Sequence, residues 1–275
     1  MLVSAVIALR AEQDAMLPPQ GRALHAWFLG QVARYDDALA AFLHDGASDL
    51  RPFTLSDVRS RLDATPVDGV RLRAGGRYVV RITSIMPELS ALLQEALLPR
   101  LPERLSLGAV GMRIEGWTTD RSRHAWADVS SRRALWQTSA GQKIHHVKLQ
   151  FASPTTFRSN DVFAPLPWPR WVLQGLLRKW NLHAQIAMPE GLEPLFEQGV
   201  AIRGYRLRAT GVRLDKDARR KIPAFWGHCD YAILPKQGDA WPRFVHALAS
   251  FAFFAGVGKE TTRGLGQARV MREKA

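Results

Sequence analysis

Cysteine is almost absent from this chain of 275 residues, which contains only Cys229. A single cysteine cannot form an intramolecular disulfide, and it cannot supply a cysteine-ligated metal cluster. Proteins without disulfides are typical of reducing compartments, so we expect a cytoplasmic setting. The cysteine count therefore excludes disulfide-stapled secreted domains and cysteine-based metal folds.

Long hydrophobic runs are also lacking. The longest candidate, residues 244–257, is interrupted by His246 and Ser250 and is too short for a membrane span. The apolar start, residues 1–9, has no basic segment before it and is soon followed by acidic residues, which is unlike a signal peptide. We therefore expect no membrane partner.

The motifs of metal hydrolases and nucleotide-binding enzymes are missing as well. There is no His-Glu-x-x-His run and no convergent carboxylate cluster, so we expect neither a metal nor another cofactor. No Gly-Lys-Ser or Gly-Lys-Thr stands at the spacing that a P-loop requires. Lysine is scarce, with 8 Lys against 30 Arg. Arginine suits bidentate phosphate contact, although a biased genome would produce the same excess.

Positive charge dominates what is present, with a formal net charge of +13. Residues 1–140 hold 17 basic and 15 acidic side chains, a net of +2, whereas residues 141–275 hold 21 and 10, a net of +11. Such a balance favours an anionic partner, nucleic acid before membrane. We expect the C-terminal half to carry the surface that binds a polyanion.

A glycine-rich stretch, residues 256–267, precedes the last strand-like run. Its four glycines surround two cations: Gly256, Gly258, Lys259, Arg263, Gly264 and Gly266. Glycine permits backbone dihedrals closed to other residues and close approach of a ligand. The order of helix, loop and strand is the reverse of the dinucleotide-binding fingerprint. The stretch therefore predicts a contact with a phosphate backbone.

The apolar periodicity predicts the order β-α-β-β-α-β in each half of the chain. The first half has strands at 2–9, 70–72, 77–85 and 105–117, with a hairpin at Gly75-Gly76, and helices within 24–44 and 88–98. The second half has strands at 146–151, 200–214, 225–234 and 265–272, and helices at 168–180 and 241–255. The polar segment 118–142 is expected to connect them.

This pattern predicts an α+β protein with two tandem ferredoxin-like (RRM-like) domains, residues 1–140 and 141–275. RNA-recognition modules share the shape and present their sheets to single strands. Fold alone does not fix function, so the functional prediction depends on particular segments.

Four regions, taken together and in chain order, resemble the CRISPR-associated repeat-RNA endoribonuclease family, the sixth Cas family of the RAMP superfamily. They span residues 21–270, nearly the whole chain. The first region comprises GRALHAWFL (21–29), FLHD (42–45) and RPFTLS (51–56). The second reads LQFASPTTFRS (149–159), the third AFWGHCDY (224–231), and the fourth is the glycine stretch.

The resemblance implies an enzyme that binds CRISPR repeat RNA (pre-crRNA) and cuts each repeat once, without metal. The ribose 2′-hydroxyl upstream of the scissile phosphate attacks it, leaving a 2′,3′-cyclic phosphate and a 5′-hydroxyl. That reaction requires a base, an acid and a cation near the phosphorane. Histidine can fill either proton-transfer role near neutral pH, and arginine can stabilise the developing charge.

By this resemblance His44 is the general base or acid; the alternative is a helix C-terminal histidine favoured by the helix dipole. His25 is a second catalytic candidate, or else a ring at the edge of the core. Arg51 stands where family members often carry a lysine beside the scissile phosphate, but arginine is a poor proton donor. The tyrosine that assists in some relatives has no clear match, since Tyr35 is out of register.

The resemblance also implies that Arg158 and the glycine stretch contact RNA, with Lys259 and Arg263 as its cations. For Arg158 a solvated surface position is the alternative. Two other functions remain open. One is a non-catalytic RNA-binding subunit that joins other Cas subunits in an effector complex, and the other is a general binder of single-stranded RNA.

Overall fold

A computed structural model of the chain describes residues 1–45, 50–63, 69–140, 145–182, 184, 187–214, 220–234, 238 and 240–271. Antiparallel sheets and separate helices make up the fold, which is α+β as predicted. Among the described residues, no helix combines the length and the apolar character needed to span a membrane.

The first half of the chain alternates short strands and helices. Its elements are β1 (Leu2–Ala11), β2 (Ala15–Leu17), α1 (Gly21–Ala33), α2 (Asp37–His44), β3 (Phe53–Leu55), β4 (Val70–Leu72), β5 (Arg77–Ser84), α3 (Pro87–Leu92) with a π-helical and 3-10 extension to Arg100, β6 (Arg104–Leu107), β7 (Val110–Thr118), β8 (Asp128–Ser130) and α4 (Arg132–Ser139).

The second half contains longer strands. Its elements are β9 (His146–Thr155), β10 (Phe157–Ser159), β11 (Val162–Ala164), α5 (Pro169–Leu182), α6 (Leu195–Gln198), β12 (Val200–Val212), β13 (Ile222–Ile233), α7 (Trp241–Ala255), a 3-10 turn (Thr261–Arg263) and β14 (Ala268–Val270).

The N-terminal sheet has the strand order β3-β5-β1-β7-β6, and β8 pairs with the start of β1. Strand β1 is buried on both faces. Its residues Val3, Ala5, Ile7 and Leu9 join the core beneath α1, α2 and α3. Its opposite face contributes to the core of the C-terminal half. Burial on both faces explains why the sequence of β1 is a continuous apolar run rather than an alternating one.

The predicted hairpin at Gly75-Gly76 is wrong. Strand β4 pairs with β2 instead, while β5 pairs with β1 and with β3. The amide of Gly75 donates to the Ala11 carbonyl, and the Ala11 amide donates to Gly76, so the glycine turn extends the ladder of β1. Strand β3 has only three residues, too few to give a periodic pattern.

Two other expectations also need correction. The predicted strand 105–117 is a hairpin of β6 and β7, because Gly108 has a φ of 63° and turns the chain. The segment 118–142, predicted as a connection, contains β8 and α4, and α4 packs against α7.

The C-terminal sheet has the order β12-β13-β9-β14. Alternate residues Val147, Leu149 and Phe151 of β9 are buried in the core with α5 and α7. On β12 three arginines, Arg203, Arg206 and Arg208, are exposed. The cross-strand partner of Arg206 is His228, which in turn is opposite Gln150 of β9.

Helix α7 joins the two halves. Of its fifteen residues, twelve are buried, which is typical of a helix enclosed on all sides rather than of an amphipathic surface helix. It packs against α5 and β14 of its own half and against β1, β3 and β5 of the other. The two sheets are therefore held together through one shared helix.

Arg81 of β5 is the main polar contact across this junction, and it is 1% exposed. Its guanidinium donates to the Gln267 side chain (2.5 Å), to the Phe253 carbonyl (2.5 Å) and to Ser4 (2.9 Å). The ring of Phe253 lies 4.3 Å from the guanidinium carbon. Burial lowers the pKa of Arg81 to about 9, so its neighbours must satisfy a costly buried cation.

Replacing Arg81 with Ala should destabilise the protein by about 3 kcal/mol or more, because Gln267 and the Phe253 carbonyl lose their donor inside the junction. Urea unfolding of both proteins measures the change. The control is Arg77→Ala on the same strand, whose side chain is 80% exposed and whose loss should cost less than about 0.5 kcal/mol. Equal effects of the two substitutions would contradict this account of the junction.

Candidate functional site

The N-terminus of α1 lies directly against the glycine stretch. A Cβ at Gly21 would be 2.8 Å from the carbonyl oxygen of Arg263 and 2.8 Å from that of Leu214. Only glycine leaves room for so close an approach. The contact places His25, one helical turn further on, beside the 3-10 turn Thr261–Arg263.

His25 is half-buried at this contact. Its Nδ1 lies 3.4 Å from the Thr262 carbonyl oxygen, and its ring centroid is 5.6 Å from that of Phe53. Since a carbonyl oxygen can only accept, Nδ1 must carry the proton in this hydrogen bond, which leaves Nε2 as the acceptor of the neutral ring.

The environment of His25 favours its neutral form. Burial lowers its pKa most, the hydrogen bond to Thr262 opposes this, and the nearby charges of Arg263, Arg51 and His44 lower the pKa further. Three basic residues from separate segments thus act on one imidazole.

His44 is the last residue of α2, and it is exposed. The helix begins with a side-chain cap, in which Asp36 accepts from the amide of Leu39 at 2.8 Å. Its end is held by Arg51, whose Nη1 donates to the carbonyl oxygens of Leu43 (2.8 Å) and Asp45 (2.6 Å). Arg51 therefore fixes the backbone on both sides of His44.

The structure brings together four of the residues singled out in the sequence: His25, His44, Arg51 and Arg263. They come from α1, from the end of α2, from the segment before β3 and from the glycine stretch. Their site lies where the two halves of the chain meet. Each remains a predicted functional residue.

The glycine stretch is largely buried and is bonded to the rest of the protein. The amide of Gly264 donates to Leu55 at 3.1 Å, that of Gly266 donates to Pro154 at 2.9 Å, and that of Gly256 donates to Ala252 at 3.0 Å. These amides are thus directed to carbonyl oxygens of the chain itself.

Positive φ angles and tight contacts explain why glycines stand there. Gly264 has a φ of 93°, and a Cβ on it would be 2.5 Å from a carboxylate oxygen of Asp57. Gly258 has a φ of 82°, and its Cβ would be 2.3 Å from the Thr156 carbonyl oxygen. The glycines let the stretch pack against both halves, while the side chains of Lys259 and Arg263 remain partly exposed.

The cations predicted to contact RNA have different surroundings. Arg158 is exposed and forms an ion pair with Asp161 at 2.7 Å. Arg263 is half-buried and pairs with Glu260 at 3.2 Å. Lys259 is half-buried, and its amide donates to Thr156 at 2.9 Å. The ion pair of Arg158 is exposed, and exposed ion pairs are weak, so a phosphate can compete for this arginine.

Three buried polar residues were missed in the sequence: Arg81, Lys179 and Gln267. Arg81 interrupts the apolar run from Tyr78 to Ile82 in β5, and that interruption is the signal by which it could have been found. Lys179 on α5 is 6% exposed and donates to the Ala255 carbonyl at 2.6 Å. Within the described residues, no group of three or more His, Cys, Asp or Glu side chains is arranged to hold a metal ion.

Comparisons with known proteins agree on one family. A family model for the CRISPR-associated endoribonuclease Cas6 matches residues 149–268. The curated Cas6 endoribonuclease of Mycobacterium tuberculosis is 26% identical over 124 residues, which are 45% of this chain and 38% of that relative. The match thus covers less than half of the relative's length.

Two solved structures match over almost the entire chain. A product complex of Thermus thermophilus Cas6 (TTHB231) is 26% identical, with a TM-score of 0.80, over 98% of this chain and 100% of that one. A product complex of Cas6 (TTHA0078) is 27% identical, with a TM-score of 0.78, over 98% and 99% of the two chains.

The pKa of His25 should be below the usual value of about 6.5 and should rise when Arg263 is replaced with Gln, because one neighbouring cation is removed. NMR titration of the imidazole measures both values.

The lowered pKa of His25 also affects stability. As the pH falls, the unfolded chain protonates this imidazole at a higher pH than the folded protein does. The stability contribution of His25 is therefore lost as the pH falls from about 6.5 towards the folded-state value.

Arg100→Gln is the matched control, because this arginine is exposed at the end of the extension of α3, donates to the Glu95 carbonyl and is not one of the charges that act on His25. It should leave the pKa of His25 unchanged. An unchanged pKa in the Arg263→Gln variant would show that the glycine stretch does not act electrostatically on His25.

Proposed function

We propose that this chain is a member of the Cas6 family, and that it is an endoribonuclease that binds CRISPR repeat RNA and cuts it to mature crRNA. The single observation that carries this proposal is the convergence of His25, His44, Arg51 and Arg263 at the junction of the two halves. Two imidazoles and the guanidinium of Arg263 supply the groups that cleavage through a ribose 2′-hydroxyl requires, and Arg51 holds one of the imidazoles in place.

We assign the general base to His25. Its hydrogen bond to Thr262 leaves Nε2 as acceptor, and its lowered pKa keeps the ring neutral near pH 7. A neutral imidazole can remove the proton from the 2′-hydroxyl, whose oxygen then attacks the adjacent phosphorus. The bond to the 5′-oxygen breaks, leaving a 2′,3′-cyclic phosphate.

His44 is then the residue that protonates the leaving 5′-oxygen. Its exposed position at the end of α2 leaves room for RNA to reach the ring. Arg51 acts as a positioning residue, since its guanidinium is directed to the backbone around His44. Arg263 supplies positive charge for the phosphorane.

The RNA strand is expected to follow the basic C-terminal half. Arg158, Lys259 and Arg263 project from segments beside the site, and the stretch 256–267 sets the positions of the last two. The amides of Gly256, Gly264 and Gly266 are bonded internally. The contacts to RNA are therefore made by the side chains of Arg158, Lys259 and Arg263. The role of these glycines is to hold that loop in shape.

We further propose that the two halves are tandem ferredoxin-like domains, residues 1–140 and 141–275. Support comes from the strand orders β3-β5-β1-β7 and β12-β13-β9-β14. If the strands of each β-α-β-β-α-β unit are counted along the chain, their order across the sheet is second, third, first and fourth in both halves. The first domain contributes His25, His44 and Arg51, and the second contributes the glycine stretch.

His44→Ala and His25→Ala should each slow cleavage of repeat RNA by about 10²–10⁴-fold, as expected for loss of a proton-transfer group, with little change in RNA affinity. Single-turnover cleavage and filter binding measure the two quantities. His145→Ala, at an exposed position on the C-terminal domain, is the control and should cleave normally. Full activity of both site variants would reject the assignment.

Cleavage should continue when divalent ions are removed with EDTA, because imidazoles and guanidiniums perform every step proposed. The comparison is the single-turnover rate with EDTA and with added Mg²⁺ at constant ionic strength, which matters since phosphate contacts depend on salt. Loss of activity with EDTA, restored by Mg²⁺, would reject the metal-independent mechanism.

A further inference from the structure

A cavity of about 420 Å³ lies between α5, the glycine stretch and β10. Ligand pockets of proteins have volumes of roughly 300–1,000 Å³. Its lining includes four cationic residues, Arg158, Arg178, Lys179 and Lys259, and two aromatic ones, Phe157 and Trp171. Among the described residues that line it, none is acidic.

We propose that this cavity binds a single nucleotide, with its phosphate at Lys179 and Lys259 and its base beside Trp171 and Phe157. The choice of a nucleotide over another anion rests on the RNA binding proposed above. The cavity itself is defined by separate residues and does not include His25 or His44.

Lys179 is the central argument for an anion. Its Nζ donates to the Ala255 carbonyl at 2.6 Å and lies 3.5 Å from Thr261 Oγ1, and these contacts leave one of its three protons. Burial and the neighbouring charge of Lys259 lower its pKa to about 8. Burying a cation next to another cation is costly, and a bound phosphate would remove that cost.

The two aromatic residues in the lining form a wall that suits a base. The rings of Phe157 and Trp171 have centroids 6.0 Å apart, and Trp171 is partly exposed. Bases stack on such rings with little regard to sequence. A phosphate alone would leave this wall without a partner, so a nucleotide fits better than a small inorganic ion.

Gly175 provides a route to test the cavity without changing its charge. It lies on α5 and lines the cavity, and a Cβ on it would have no other atom within 4 Å. A leucine there would therefore point into free space and fill the cavity. Because leucine favours helix more than glycine does, the substitution should not unfold α5.

The experiment is calorimetric titration of the full chain with ribonucleoside 5′-monophosphates, with the matching nucleosides and with inorganic phosphate. The monophosphate should bind at least about 10-fold more tightly than either part. Gly175→Leu and Lys179→Met should each weaken that binding by about 10-fold to 100-fold, through loss of space and of one charged contact respectively.

Gly30→Leu is the matched control. Gly30 is also helical, on α1, and a Cβ there would likewise have no atom within 4 Å, but it does not line the cavity. Its binding should equal that of the unmodified protein. Circular dichroism checks that Lys179→Met is folded, and Gly175→Leu gives an independent answer if it is not.

Equal binding of phosphate and monophosphate, no binding of the monophosphate, or unchanged binding by Gly175→Leu would overturn the proposal. A 5′-phosphorylated trinucleotide distinguishes a site for a segment of RNA from a site for a free nucleotide. Only a site for an RNA segment should bind the trinucleotide as tightly as the monophosphate or better. His44→Ala should still bind nucleotide. If the protein cuts no repeat RNA yet binds monophosphate in the cavity, the proposed cleavage fails and the cavity site stands.

Discussion

The buried guanidinium of Arg81 is the interaction on which the rest of the structure depends. It belongs to a strand of the N-terminal sheet, yet its donors are directed to Gln267 and to the end of α7 in the other half. Gln267 in turn donates to Thr54 and to the Leu55 carbonyl. These contacts fix where the glycine stretch leaves α7 and where it meets β3, and so they fix the distance between the two histidines and the C-terminal cations.

The site follows from that constraint. The glycines allow the stretch to pass within contact distance of Gly21 and Asp57, and the same approach presents the Thr262 carbonyl to His25. The half of the chain with little net charge thus supplies both imidazoles, while the strongly basic half supplies Arg263. The proposed chemistry requires the two halves to be assembled, because neither contains a base, an acid and a cation for the phosphate in one place.

Much of this could be predicted from the sequence where a pattern was long enough. Helix α7 was predicted with its observed bounds, and the strands of the C-terminal sheet lie close to their predicted positions. Strand β3 was missed because three residues show no period. Arg51 holds the end of α2 through backbone carbonyl groups. Arg81 and Lys179 are buried by neighbours more than thirty residues away in the sequence. Periodicity encodes neither kind of contact.

Helix α7 lies between two sheets and belongs structurally to both. A helix enclosed in this way has no face left for a new neighbour, and each buried side chain must suit two surfaces at once. A substitution in the core of one half therefore limits which substitutions the core of the other half can accept. Recombination that replaced one half with that of a distant homologue would disrupt the shared core, so the pair is expected to be inherited and to diversify as a unit, with novelty confined to the outer loops and the exposed face of β12.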